Sequence, residues 1–240
     1  MPDDRHLDWD GCGNVRDLGG LPTTDGRRTR RGALVRADAL DRLTAAGWAA
    51  LQAHGVRTVV DLRNDDERGP DAAMRPSGID TIHVPHDAIE DREFWEVWSS
   101  GPQYGTPLYY APHLERFPQR SARVVAAVAR ARPGGVAVHC GIGRDRTGLI
   151  AMLLLHLAGV APREIAADYG LSAGRVPGLL ARMGRDDDGP VIAAHLEREG
   201  VTAGETIERT LAGLDVEATL RAGGLTGDDV AALRARLLEP

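Results

Sequence analysis

Val136-Ala-Val-His-Cys-Gly-Ile-Gly-Arg-Asp-Arg-Thr-Gly148 is the stretch on which the reading of this chain turns. Val136, Ala137 and Val138 form an apolar, β-prone run that ends at His139-Cys140. Gly141 and Gly143 permit a tightly curled loop, and Leu149–Leu157 reads as an apolar helix. The order is strand, thiol, glycine loop, guanidinium, helix start. That order suits a cysteine nucleophile held against a phosphate.

A protonated thiol is a poor nucleophile, and a helix N-terminus or a cation favours the thiolate. Both are expected within a few residues of Cys140. In a curled loop the backbone N–H groups of Gly141, Ile142, Gly143 and Arg144 turn inward as an anion nest. Arg146 adds a planar two-pronged donor, and Thr147 a hydroxyl that can reach the Cys140 sulfur. His139 is read as orienting the loop rather than as a base. Neither a metal nor a cofactor is called for. With 29 arginines in 240 residues, composition alone places an arginine six positions after a given cysteine about one time in eight. Cys-x5-Arg therefore discriminates little. The full set of strand, His-Cys, two glycines, Arg-Thr-Gly and helix does.

Outward from the loop, strands and helices alternate. Asn14–Leu21 and Gly32–Arg36 read as a hairpin with Asp25-Gly26 as its turn signal. Thr44 caps a helix over Ala45–His54 that Gly55 ends. Val56–Leu62 and Ile79–Pro85 read as strands, and Arg120–Arg132 as an amphipathic helix stopped by Pro133-Gly134-Gly135. Beyond the loop helix, Pro162–Tyr169, Ala173–Met183, Val191–Glu199, Thr206–Leu214 and Thr226–Leu238 read as helices. The pattern predicts an α/β fold, a mainly parallel sheet flanked by helices with a helical C-terminal region. The Cys140 loop then sits at a strand's C-terminal end, where α/β folds place ligands.

Residues 1–240 are expected to form one domain, with residues 1–10 loosely packed. A connection over residues 87–118 stands apart, with seven of the ten aromatic residues of the chain and four prolines. It reads either as rings packed on the core or as a lid over the loop. The net charge of −6 argues against general nucleic-acid or membrane-surface binding, and the cytoplasm is the expected location. The sequence is silent on oligomeric state. All 29 basic side chains are arginine, which coding bias explains, so an arginine in place of a lysine carries little information here.

His139-Cys-Gly-Ile-Gly-Arg-Asp-Arg-Thr-Gly148 resembles the active-site loop of cysteine-dependent protein tyrosine phosphatases. Asp145, between Arg144 and Arg146, narrows the resemblance to the atypical bacterial tyrosine/serine phosphatases with an HCxxGKDRTG loop. Asn14-Val-Arg-Asp-Leu-Gly-Gly20, Leu34-Val-Arg-Ala-Asp38, Val60-Asp-Leu-Arg63 and Ala166-Ala-Asp-Tyr169 agree with it. Arg144 departs from the family's lysine. The resemblance implies a phosphatase fold and a phosphocysteine formed on Cys140, with Arg146 and the loop amides holding the phosphate oxygens. It implies a phosphorylated protein, lipid or small molecule as substrate. Asp145 is the first choice for the acid that protonates the leaving oxygen, Asp61 the second and Asp87 the third. Asp61 reads equally as the partner of an arginine. A phosphatase of a small metabolite, a phosphate-binding module without turnover and a rhodanese-type sulfur transferase are the other classes. Cys12 is weighed as a redox partner of Cys140, His83 and His86 with Asp87 as a metal site, and Asp186–Asp188 as a solvated loop.

Overall fold

A computed structural model describes residues 5–240. Five strands build one sheet: β1 (Arg16–Asp17), β2 (Leu34–Ala37), β3 (Val56–Asp61), β4 (Asp80–His83) and β5 (Gly135–His139), in the order β1-β2-β5-β3-β4. Only the β1–β2 pair is antiparallel. Every residue of β5 is buried, which is why its sequence is apolar rather than alternating. Val136, Val138 and Cys140 face one core while Ala137 faces a second with Trp48 and Val59, the period of two that a pleated strand imposes.

Eleven helices surround the sheet among the described residues: α1 (Ala45–Ala53), α2 (Arg92–Trp98), α3 (Tyr110–Arg116), α4 (Pro118–Arg130), α5 (Asp145–Leu157), α6 (Pro162–Gly170), α7 (Val176–Arg182), α8 (Gly189–Arg198), α9 (Ala203–Gly213), α10 (Val216–Ala222) and α11 (Gly227–Leu237). Beyond its first turn helix α5 is apolar on nearly every side, and it is buried except at His156, as a central helix must be. Thr226 and Asp229 close the capping box expected at α11. None of these helices is long and apolar enough to cross a membrane.

The structure corrects three expectations. Residues 1–4 lie outside the described residues, but residues 5–10 are not loose: Trp9 is buried and Arg5 donates to Asp168 at 2.8 Å. Residues 87–118 are helical in part. Asp91 caps α2 through the Phe94 N–H, and prolines open two 3-10 turns before α3. Helix α5 begins at Asp145, four residues ahead of its apolar run, because its first turn is polar and the apolar period could not mark it.

The parallel register sets Ala37 and Asp61 on either side of His139. Asp38, Leu62 and Cys140 therefore emerge together at the C-terminal edge of the sheet.

Candidate active site

The loop after β5 is shaped by what holds its carbonyls. The Gly141 oxygen accepts from Ala39 N–H at 3.2 Å and Arg42 Nη2 at 2.7 Å. The Ile142 oxygen accepts from Asn14 Nδ2 at 3.0 Å, and the Gly143 oxygen from Arg36 Nη2 at 2.9 Å. The Asp145 oxygen accepts from the Tyr110 hydroxyl at 2.8 Å. With the carbonyls fixed outward, the N–H groups face the loop's concave side. Among the described residues no protein oxygen accepts from those of Gly141, Ile142, Gly143 or Arg144, and the first turn of α5 adds further unpaired N–H groups. The result is an anion nest on a helix start.

Within this loop only Gly143 takes a left-handed conformation, with φ of 71°. A Cβ there would stand 2.7 Å from the Ala37 backbone, so the loop packs against β2 only as glycine. Gly148 has a related role that the sequence did not reveal. A Cβ on it would meet the Tyr110 hydroxyl at 2.6 Å, and that hydroxyl fixes the Asp145 carbonyl.

Cys140 is buried and lines a cavity of about 510 Å³ with Glu67, Tyr104, Asp145, Arg146 and Ile192. Arg146 gives Nη1 and Nη2 to the Glu67 carboxylate, Nη2 at 2.6 Å, and Nη1 lies 3.1 Å from Asp87 Oδ2. Two of its five N–H donors are thereby hydrogen-bonded, both to Glu67. The Nε edge, shared with the second Nη2 hydrogen, stays open. A Cβ on Gly141 would lie 3.9 Å from Nη2, so that edge faces the loop.

The carboxylates divide into two kinds. Asp61 is bound by Arg63 through Nε and Nη2 at 3.0 and 2.9 Å. Burial pushes its carboxyl up, but the Arg63 bonds and His139 hold it below the usual range. It does not line the cavity, so of its two readings the structure favours the arginine partner over the acid. Burial raises Asp145 above the ordinary value against the opposing Arg144. Asp87 is pushed up to about 6 by burial, with Arg146 opposing. Its Oδ2 accepts from Asn64 at 3.0 Å and its Oδ1 is buried without a partner.

Other expectations divide in the same way. His139 Nδ1 lies 3.2 Å from the Cys140 oxygen, and burial lowers the ring to about 4, which keeps it neutral. The Thr147 hydroxyl is buried without a partner and does not bond Cys140. Arg144 lines the cavity, but its guanidinium is bound by Asp188 at 2.7 and 2.8 Å and by Asp145 at 3.1 Å. Its backbone, not its side chain, faces the nest. Asp186–Asp188 is a solvated loop as expected, and Asp188, with its side chain 39% exposed, also pairs with Arg144. His83 bonds the Arg63 oxygen and His86 faces Ser121, so the two diverge. Among the described residues no group of three metal-ligating side chains gathers. Cys12 is directed at the Ala39 oxygen, 3.6 Å away. Glu67 is the site residue that the sequence reading missed. Its one local signal is the capping box with Asn64, where its carboxylate accepts the Asn64 N–H.

Over the cavity, Tyr104 sits edge-on to Trp95 and stacked near Tyr109, with centroids 5.6 and 5.7 Å apart. The aromatic segment is thus anchored in the core while Gly101, Tyr104 and Gly105 form a cavity wall opposite the loop.

A family model described as the tyrosine phosphatase family matches residues 7–239. A Cupriavidus necator protein, whose name assigns it provisionally to the tyrosine-protein phosphatases, is 34% identical over 172 residues, covering 69% of this chain and 62% of its own. A tyrosine-protein phosphatase of Nostoc commune is 36% identical over 143 residues, 59% of this chain and 48% of its own. The triple specificity protein phosphatase PtpB of Mycobacterium tuberculosis is 32% identical over 205 residues, 72% of this chain and 71% of its own. The chain thus spans about half to two thirds of the length of the first two.

Proposed function

The chain belongs to the tyrosine phosphatase family, and from that premise we propose that it hydrolyses phosphomonoesters through a phosphocysteine on Cys140. The observation that carries this reading is the nest itself: a loop whose carbonyls are held outward, around a cavity-lining cysteine, with the open edge of Arg146 facing it.

In the first step the Cys140 sulfur attacks phosphorus and the bond to the leaving oxygen breaks. The loop N–H groups and the Nε edge of Arg146 bind the three remaining oxygens, whose charge is held best at the transition state. Glu67 fixes the Arg146 plane from the far edge. Asp145, raised by burial and lining the cavity, gives its proton to the leaving oxygen. In the second step Asp145 takes a proton from water, the water oxygen attacks phosphorus, and the sulfur–phosphorus bond breaks to free Cys140. No step calls for a metal. Phosphotyrosine is the substrate class that the relatives' names support, with Tyr104 as the ring that flanks an aryl ester.

Hydrolysis of p-nitrophenyl phosphate and of a phosphotyrosine peptide tests the reading. Cys140→Ser is expected to lose at least a thousandfold in kcat, and wild-type turnover to be unchanged by EDTA. Retained turnover in Cys140→Ser would rule out the thiol mechanism.

A further inference from the structure

Beside the Cys140 cavity lies a second one of about 430 Å³, walled by Pro107, Val176, Pro177, Pro190, Ile192 and Leu196. The two share Gly105, Arg144 and Ile192. A Cβ on Gly105 would stand 2.5 Å from Ile192 Cδ1 and 3.0 Å from Arg144 Nη2. Ile192 and Arg144 thus both pack against Gly105, where the two cavities share their lining. Every nitrogen of the Arg144 guanidinium faces a carboxylate, Asp188 from Nη1 and Nη2 and Asp145 from Nε. Arg144 therefore has each nitrogen already on a carboxylate, and the second chamber is chiefly apolar.

Resting on the phosphatase reading above, we propose that the substrate spans both chambers. Its phosphate enters the Cys140 loop, and an apolar arm of the same molecule fills the second chamber. The preferred substrates are phosphomonoesters that carry an apolar group beside the phosphate. Three observations support this. The chambers share part of their lining. The exposed Val191 stands at the mouth of the first and the neighbouring Ile192 lines both. The charge of Arg144 is already neutralised on both sides. Burying an arm of leucine or phenylalanine size is worth on the order of tenfold to a hundredfold in kcat/KM.

Two substrate series test the proposal and separate the sources of such an arm. One is phosphotyrosine peptides with alanine, leucine or phenylalanine on either side of the phosphotyrosine. The other is aryl phosphates with methyl, butyl or hexyl arms. At least one series is expected to rise tenfold or more in kcat/KM with arm size, and a gain confined to one names the source. In Ala193→Glu and Ala173→Glu, both on exposed alanines of the second chamber, the ratio of long-armed to short-armed kcat/KM is expected to fall towards one. Calorimetry of the same compounds with Cys140→Ser reads the arm without turnover. An arm-dependent affinity with no wild-type turnover would sink the phosphatase reading and leave the two-chamber site standing. Two results would overturn the two-chamber site itself: turnover with no arm dependence in either series, or an arm dependence that survives both glutamate variants.

Discussion

At the scale of single residues, the site is a set of arginines assigned to particular carboxylates. Arg146 rests on Glu67 and Asp87, Arg144 on Asp188 and Asp145, Arg63 on Asp61. Glu67→Gln is expected to lower kcat/KM tenfold to a hundredfold, the worth of a charge-assisted hydrogen bond, with phosphopeptide kinetics as the readout. An unchanged value would mean that Arg146 needs no brace. Asp87 gives a pH signature. Its carboxyl is raised to about 6 in the fold, so its proton stabilises the fold below pH 4, and that contribution is lost as pH rises through 6. The stability of Asp87→Asn relative to wild type is therefore expected to improve by about 3 kcal/mol between pH 4 and 7. Urea unfolding at both pH values measures it. A difference that stays flat would show Asp87 to be an ordinary acid. Cys140, Gly143 and Arg146 were legible in the sequence because they lie within one short motif. Glu67 and Asp188 were not, because their partners stand 79 and 44 residues away and no local pattern encodes such a pairing.

At the scale of elements, the strands and long helices were legible because apolar period and caps mark them. Helices α2 and α3 were not, since each is only seven residues long and their order comes from ring packing. Within that packing His86 and His113 stack at 4.6 Å, both fully buried, and neither His113 nitrogen has a partner. Burial lowers His113 to about 4 and His86 well below its usual value. A depressed imidazole stabilises the fold above its unfolded value, about 6.5, and that stabilisation is lost as pH falls through 4. The wall formed by residues 87–118 is therefore expected to loosen in acid. Trp95 and Trp98 fluorescence should change below pH 5, and His113→Phe should shift the change to lower pH. A transition unmoved by that substitution would exclude the pair as its origin.

At the scale of the whole molecule, a chain of net charge −6 gathers buried arginines at one point. Asp168 on α6 takes Arg5 at 2.8 Å, Arg16 at 3.0 Å and Arg36 at 2.7 Å. Burial pushes its carboxyl up, yet Arg16 and Arg36 hold it well below the usual range. Asp168→Asn leaves those guanidinium groups without their carboxylate, and a loss of about 3–5 kcal/mol is expected. Thermal unfolding checks the loss. A variant as stable as wild type would show that the cluster does not depend on the charge of Asp168. Arg16, Arg36 and Asp168 lie in segments that the sequence reading had already marked, but their convergence needed the folded sheet to bring positions 152 and 132 residues apart together. The cluster also orders events on the ribosome. Arg36 holds the Gly143 carbonyl, and Asp168 aims Arg36. When synthesis has passed Gly148 the loop is chemically complete, but the clamp that shapes it emerges only with α6. The nascent chain thus carries Cys140 before the contacts that activate it can form, and the loop takes its shape as residue 168 docks.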